Sequence, residues 1–214
     1  MIKEDLIWYA SYGSNLDRER FYCYIRGGRP QGSIRKNDGC RNNSLPVAGK
    51  NMLIPYELYF SGASESWGRG GVAYIHPAED DAQLTYAHLY LITLEQFCDI
   101  VMQENDMDVV PEIPFDIAIR LYQHTFPKIK GYNHLIYLGS VDNVPAFTFT
   151  HHRRYDNVAR PSRAYLATIV RGLKQHFKLT NNVIQNYLIS KEGISRHYSP
   201  DELEELIEVA GISL

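Results

Sequence analysis

Two parts of the sequence carry residue types and spacings suited to chemistry: Glu104, and the turn Tyr12-Gly13-Ser14-Asn15. In the run that begins at Thr93, Phe97, Ile100 and Val101 recur at helical spacing. Glu104 follows Phe97 by seven residues on the same face, whereas Glu95 and Asp99 point elsewhere. A carboxylate that continues a buried stripe loses its water and can exchange protons near neutrality as a general base and acid. A last-turn carboxylate can also reach solvent or pair with an arginine, and the pattern alone leaves both readings open. The turn follows a strand and precedes a helix, so its backbone N–H groups can converge on an anion or a polarised carbonyl oxygen. Taken as four isolated residues it is most economically a strand-to-helix turn, with Gly13 at positive φ and Ser14 or Asn15 capping the helix.

Other candidate motifs carry less. Gly68-Arg69-Gly70-Gly71 lacks the Gly-Lys-Ser/Thr of a phosphate loop and reads as a hairpin turn. Ser61-Gly62-Ala63-Ser64-Glu65-Ser66 lacks the G-x-S-x-G of a nucleophile elbow, and no His/Cys set has zinc spacing. His151-His152-Arg153-Arg154, with Arg160 and Arg163 behind it, could grip an anion, although a solvated loop is the simpler reading. Cys23, Cys40 and Cys98 stand beside no helix start with a basic partner and read as bystanders.

The elements that must position these residues follow from periodicity. Strands are expected at 6–10, 53–60, 71–75, 84–92, 134–141 and 146–150, the early ones as a meander. Helices are expected from about Asp17 and from the capping box at Thr93 and Gln96. Further helices follow Ser162 through Phe177, Thr180, and Ser199-Pro200-Asp201-Glu202, the last carrying Leu203, Leu206, Ile207 and Ala210. Segment 26–50, rich in Gly, Asn, Arg and Pro, is long for a connection and reads as a lid or flap. Strands, a helix, more strands and then helices give an α+β class rather than alternating α/β.

The bulk properties agree with a small-molecule partner. The 214 residues suffice for one core, read as a domain over 1–178 with a helical extension over 179–214 packed on it. With 44% hydrophobic and 22% charged residues the chain is globular. A net charge of -3 gives no basic excess for nucleic acid or a membrane surface. Lys3, Glu4 and Asp5 leave no apolar leader before the first strand, and no run reaches a membrane span. Three cysteines at wide spacing favour a reducing compartment, so a cytoplasmic location is expected.

The run Tyr9-Ala10-Ser11-Tyr12-Gly13-Ser14-Asn15-Leu16 resembles the opening signature of the γ-glutamylcyclotransferase-like family. Three more blocks keep the family's order: 60–77 with its Ser-x-x-Trp-Gly-x-Gly-Gly-Val-Ala-Tyr-Ile run, 91–104 ending in Glu104, and Pro161-Ser162-x-x-Tyr165-Leu166-x-x-Ile169-x-x-Gly172. The resemblance implies a small mixed barrel-like sheet flanked by helices. It implies that Tyr12, Gly13, Ser14, Asn15 and Leu16 hold a glutamyl group, that Tyr165 lines the cavity, and that Glu104 is the catalytic acid/base. The implied reaction is intramolecular aminolysis of a γ-glutamyl amide or peptide to 5-oxoproline and a free amine, with no cofactor and no metal. Asn105-Asp106 stands where the family commonly has a glycine after the acid. A catalytically silent ligand-binding protein of the same fold and an amidase-like hydrolase therefore remain as alternatives. The helical tail is left open as an arm, a homodimer element or a lid.

Overall fold

The computed structural model describes residues 6–212, so the expectation of no leader over residues 1–5 lies outside the described residues. In chain order the strands are β1 (Leu6–Ser11), β2 (Ala48–Ile54), β3 (Leu58–Ser64), β4 (Gly70–Ile75), β5 (Thr85–Thr93), β6 (Gln123–Thr125), β7 (His134–Val141) and β8 (Val144–Thr150). The helices are α1 (Arg18–Arg26), α2 (Leu94–Glu104), α3 (Phe115–Leu121), α4 (Arg163–Gly172), α5 (Asn181–Ile189) and α6 (Pro200–Ile212). The architecture is α+β, a mixed sheet flanked by helices.

Six strands form an open sheet in the order β2-β5-β1-β8-β7-β6. β1 lies near its centre, antiparallel to β5 from Leu6↔Thr93 to Ser11↔His88 and parallel to β8 at Trp8↔Ala146. Both faces of β1 are therefore covered, which is why its sequence is apolar without polar alternation. Trp8 and Ala10 join a core with α4, α5 and α6, while Ile7 and Tyr9 join a second core with α1, α2 and α3. Tail residues Ile184, Leu188, Leu203, Leu206 and Ile207 belong to the same core as Trp8, so one apolar layer runs unbroken from sheet to tail.

The expected single strand over 53–60 is two strands in different sheets. Pro55 has no N–H to continue a ladder, and the chain turns through Tyr56 and Glu57 before β3. β3 pairs with β4 in a separate hairpin, while β2 pairs with β5, so the early strands are not a meander. The Thr150 hydroxyl ties the hairpin to the sheet, donating to the Ile75 carbonyl at 2.7 Å and accepting from its N–H at 3.2 Å. The short α3 and β6 were not foreseen.

Helix starts follow the sequence closely. Thr93 and Gln96 form a complete capping box, and Ser162 and Thr180 cap α4 and α5. The helix expected to reach Phe177 stops as an α-helix at Gly172, and Leu173–Phe177 makes one π-helical turn. That turn brings His176 onto His88 with ring centroids 3.5 Å apart. Gly172 is required where α4 crosses the turn after β1, because a Cβ there would lie 2.4 Å from the Leu16 carbonyl carbon.

Candidate active site

The site is built where β1 ends. Gly13 has φ -105°, so the turn does not need a glycine for positive φ. It needs one for space: a Cβ would meet the Ala73 Cβ at 3.1 Å and the Tyr165 hydroxyl at 3.2 Å. Ser14–Leu16 makes one 3-10 turn, closed by the Leu16 N–H on the Gly13 carbonyl at 3.0 Å. The residue that caps α1 is Asp17, not Ser14 or Asn15. Its carboxylate accepts from the Glu19 and Arg20 N–H groups and from Arg171 Nε at 2.6 Å, tying the turn to α4. Capping by Asp17 leaves the Asn15 side chain free to point to α2.

Asn15 Nδ2 donates to Glu104 Oε1 at 2.9 Å and to the Tyr9 hydroxyl at 3.2 Å. A carboxylate only accepts, so this contact sets which way the carboxamide faces. Asn15 Oδ1 is left as a buried acceptor without a partner among the described residues. Glu104 is the last residue of α2 and is half-buried, not enclosed as the apolar stripe implied; Phe97, Ile100 and Val101 of that stripe are buried. Asp99 also departs from expectation: it is buried, and accepts from the Arg41 N–H and Nε, each at 2.9 Å, anchoring the long segment before β2.

After Glu104, Asn105 closes the helix and Asp106 takes φ +50°, a conformation that aspartate and asparagine tolerate better than most residues. Asn105 pins the next wall: its carboxamide accepts from the Tyr132 N–H at 2.7 Å and donates to the Val101 carbonyl at 2.9 Å. The Tyr132 hydroxyl then donates to the Ala73 carbonyl at 3.0 Å. The Asn105-Asp106 pair thus ends the helix with a left-handed residue and supplies a clamp on Tyr132.

These groups share one cavity of about 360 Å³, within the range of small-molecule sites. Tyr12, Gly13, Ser14, Asn15, Glu104 and Tyr165 all line it. Leu16 does not; it is fully buried in the core with α4. The Tyr165 hydroxyl accepts from the Ala73 N–H at 2.9 Å, and burial pushes its pKa up to about 12, so it stays protonated. The Tyr12 hydroxyl donates to the Phe149 carbonyl at 2.9 Å and holds the turn against β8.

Several lining residues were not foreseen. Arg20 and Tyr24 project from α1, and Ser33, Arg35 and Asn37 come from the long segment, which forms part of the wall. Arg20 Nη2 donates to the Tyr24 hydroxyl at 2.9 Å and Nη1 to Asn37 Oδ1 at 3.3 Å. Burial and the nearby Glu104 both favour the protonated Tyr24, whose hydroxyl lies between Arg20 and Glu104. Arg35 pairs with Asp106 and donates to the Gln103 carbonyl at 2.9 Å. A signal for Arg20 was present: it adjoins the helical stripe Phe21, Tyr24 and Ile25, as Glu104 adjoins its own.

The basic run lies elsewhere. Arg154 pairs with Glu192 and sits over the Tyr59 ring, and His151 stacks on Tyr155. None of Cys23, Cys40 and Cys98 lines the cavity, and burial pushes the Cys40 and Cys98 thiols up to about 12 and 11. Among the described residues no helix is long and apolar enough to cross a membrane.

No family model matches the chain. Histone deacetylase 5 of Arabidopsis thaliana is 32% identical over 198 residues, which cover 85% of this chain. The chain spans 30% of the length of that relative, and the deacetylase name belongs to the whole of that protein. Among solved structures, the uncharacterized protein loc79017 from Homo sapiens superposes with a TM-score of 0.51 at 15% identity, covering 96% of this chain and 99% of its own, which shows a shared fold. A structure titled gamma-glutamyl cyclotransferase gives a TM-score of 0.49 at 14% identity, covering 95% of this chain and 99% of its own. The chain therefore shares the α+β fold of that uncharacterized human protein.

Proposed function

We propose that the chain converts a γ-glutamyl amide or peptide to 5-oxoproline and a free amine. The observation that carries this reading is the Asn15–Glu104 hydrogen bond inside a cavity also lined by the Tyr12-Gly13-Ser14 turn and Tyr165. In the reaction, Glu104 takes a proton from the substrate's α-ammonium. The freed amine attacks the γ-carbonyl carbon, forming the ring C–N bond and placing negative charge on the carbonyl oxygen, where N–H donors of the turn can stabilise it. The proton held by Glu104 passes to the departing nitrogen, the old C–N bond breaks and the oxygen regains its double bond, while Glu104 takes the second proton from the positively charged ring nitrogen and hands it to the released amine, which leaves as its ammonium. Holding amine and carbonyl together in the cavity accelerates the reaction further, because the attack is intramolecular. Three free cysteines fit a reducing, cytoplasmic setting.

The test is to incubate the chain with γ-glutamyl dipeptides, γ-glutamyl amines and glutathione and to identify the products. The reading expects 5-oxoproline from at least one substrate, and a loss of roughly a hundredfold or more in Glu104→Gln. Linear glutamate as the product would instead support an amidase-like hydrolase. Saturable binding without turnover would support a silent binding protein.

A further inference from the structure

Arg20 is a buried cation with spare donors. It is 7% exposed and stacks over the Tyr24 ring at 4.3 Å, with Trp67 at 5.8 Å. A guanidinium carries five N–H donors, and the Tyr24 hydroxyl and Asn37 Oδ1 engage two of them. Its Nε is buried without an acceptor among the described residues. The neighbouring cations are neutralised, Arg35 by Asp106 and Arg171 by Asp17, whereas Arg20 makes no ion pair among the described residues. Glu104, beyond the Tyr24 hydroxyl, favours the Arg20 charge from a distance, but no carboxylate among the described residues touches the guanidinium, so its spare donors are left for a ligand.

Across the same cavity the polarity is reversed. The Glu104 carboxyl accepts from Asn15 Nδ2, and the Asn15 Oδ1 beside it, with no hydrogen-bond partner among the described residues, is an acceptor that wants an N–H. The Tyr24 hydroxyl separates the two ends. An acceptor-rich end and a donor-rich end, both on one cavity of about 360 Å³, match a small zwitterion lying with its ammonium toward Glu104 and its carboxylate toward Arg20. Arginine suits the second task because its planar fork pairs bidentately with a carboxylate.

We propose that Arg20 receives the ligand's α-carboxylate, so that the site selects ligands bearing a free amine and a free carboxylate on the same carbon. This rests on the cyclotransferase reading for the identity of the reaction, but not for the binding of the carboxylate. Arg20 then fixes the substrate end for end. With the carboxylate clamped, the α-amine has Glu104 as its proton acceptor and the γ-carbonyl is turned toward the Tyr12–Asn15 turn.

The test compares two substrates that differ by one group, γ-glutamyl anilide and 4-aminobutyryl anilide, which can cyclise to 5-oxoproline and 2-pyrrolidinone respectively. The wild-type chain should favour the carboxylate-bearing substrate by about a hundredfold or more in kcat/KM. Arg20→Gln should collapse that ratio toward one, and Arg20→Lys should restore part of it. A wild-type ratio near one, or a ratio unchanged in Arg20→Gln, would overturn the proposal. A ratio is read within one protein, so partial unfolding of a variant does not mimic the result. A second arm titrates glutarate, L-glutamate and 5-oxoproline against 2-pyrrolidinone by calorimetry. If no turnover occurs but the carboxylates bind the wild-type chain and not Arg20→Gln, the cyclotransferase reading fails while the role of Arg20 stands. If no carboxylate binds, the role of Arg20 fails too.

Discussion

The Asn15 carboxamide donates to the Glu104 carboxylate at 2.9 Å, across a sequence separation of 89 residues. It joins the turn after β1 to the end of α2 and orients the one carboxylate proposed to carry the proton. A hydrogen bond to a charged group is worth about 1.5–3 kcal/mol. Asn15→Leu is therefore expected to lower kcat/KM by roughly ten- to a hundredfold on the best γ-glutamyl substrate, with little change in melting temperature. Steady-state kinetics and a thermal melt check this, and unchanged kinetics would remove Asn15 from the mechanism.

A second expectation concerns the frame under the turn. Arg171 Nε meets Asp17 Oδ2 at 2.6 Å, both side chains nearly buried. Removing one partner strands the other, so Arg171→Met should destabilise the fold by about 3–5 kcal/mol in urea unfolding. Asp17→Asn combined with Arg171→Met should recover much of that loss, since asparagine still caps α1. A double variant no better than the single one would mean that Arg171 acts through packing alone.

Gly172 and Leu16 give a third. A Cβ at residue 172 would lie 2.4 Å from backbone and side-chain atoms of Leu16, which must shift. Gly172→Ala is expected to cost about 1–3 kcal/mol. Because Leu16 directly follows Asn15, it should also weaken ligand binding, whereas a substitution at exposed Val183 should do neither. Chemical denaturation and ligand titration of the two variants read this out.

Acid should loosen the tail. His88 is pushed down to about 3 by burial and by His176; His176 falls to about 4 by burial, then Arg18 and Lys178, opposed by Asp17. Both are neutral when folded and titrate near 6.5 when unfolded. The unfolded chain therefore binds more protons below about 6.5, and stability present above that pH is lost as the pH falls toward 4. Denaturation midpoints at pH 7 and pH 5 should differ less in His176→Phe than in the wild-type chain. His134, also lowered to about 4 by burial, should keep part of the dependence in that variant.

How far the sequence reached depends on how local each signal is. Helix starts were legible because Thr93, Ser162 and Thr180 act within a single turn. The separation of β2 from β3 was not, since only Pro55 marks it and which strand each run pairs with is a long-range matter. The stripe on α2 placed Glu104 on its apolar face, and the helix end near Glu104 was legible as well; what the stripe could not show is how much of a last-turn carboxylate the cavity leaves uncovered, and Glu104 is half-buried. The turn's glycine was legible as a type and misread as to cause: Gly13 makes room for Tyr165, a residue more than 150 positions away. Arg20 was passed over because a charge on a short helix usually faces water, and only the fold shows it enclosed by Tyr24, Trp67 and Asn37.

The central claim is that the substrate's own amine, not water, attacks the γ-carbonyl. Turnover of a γ-glutamyl amide carrying ¹⁵N at the α-amine, run in H₂¹⁸O and followed by mass spectrometry, tests it directly. The expected product is 5-oxoproline that retains the ¹⁵N and contains no ¹⁸O. Linear glutamate carrying one ¹⁸O would contradict the account.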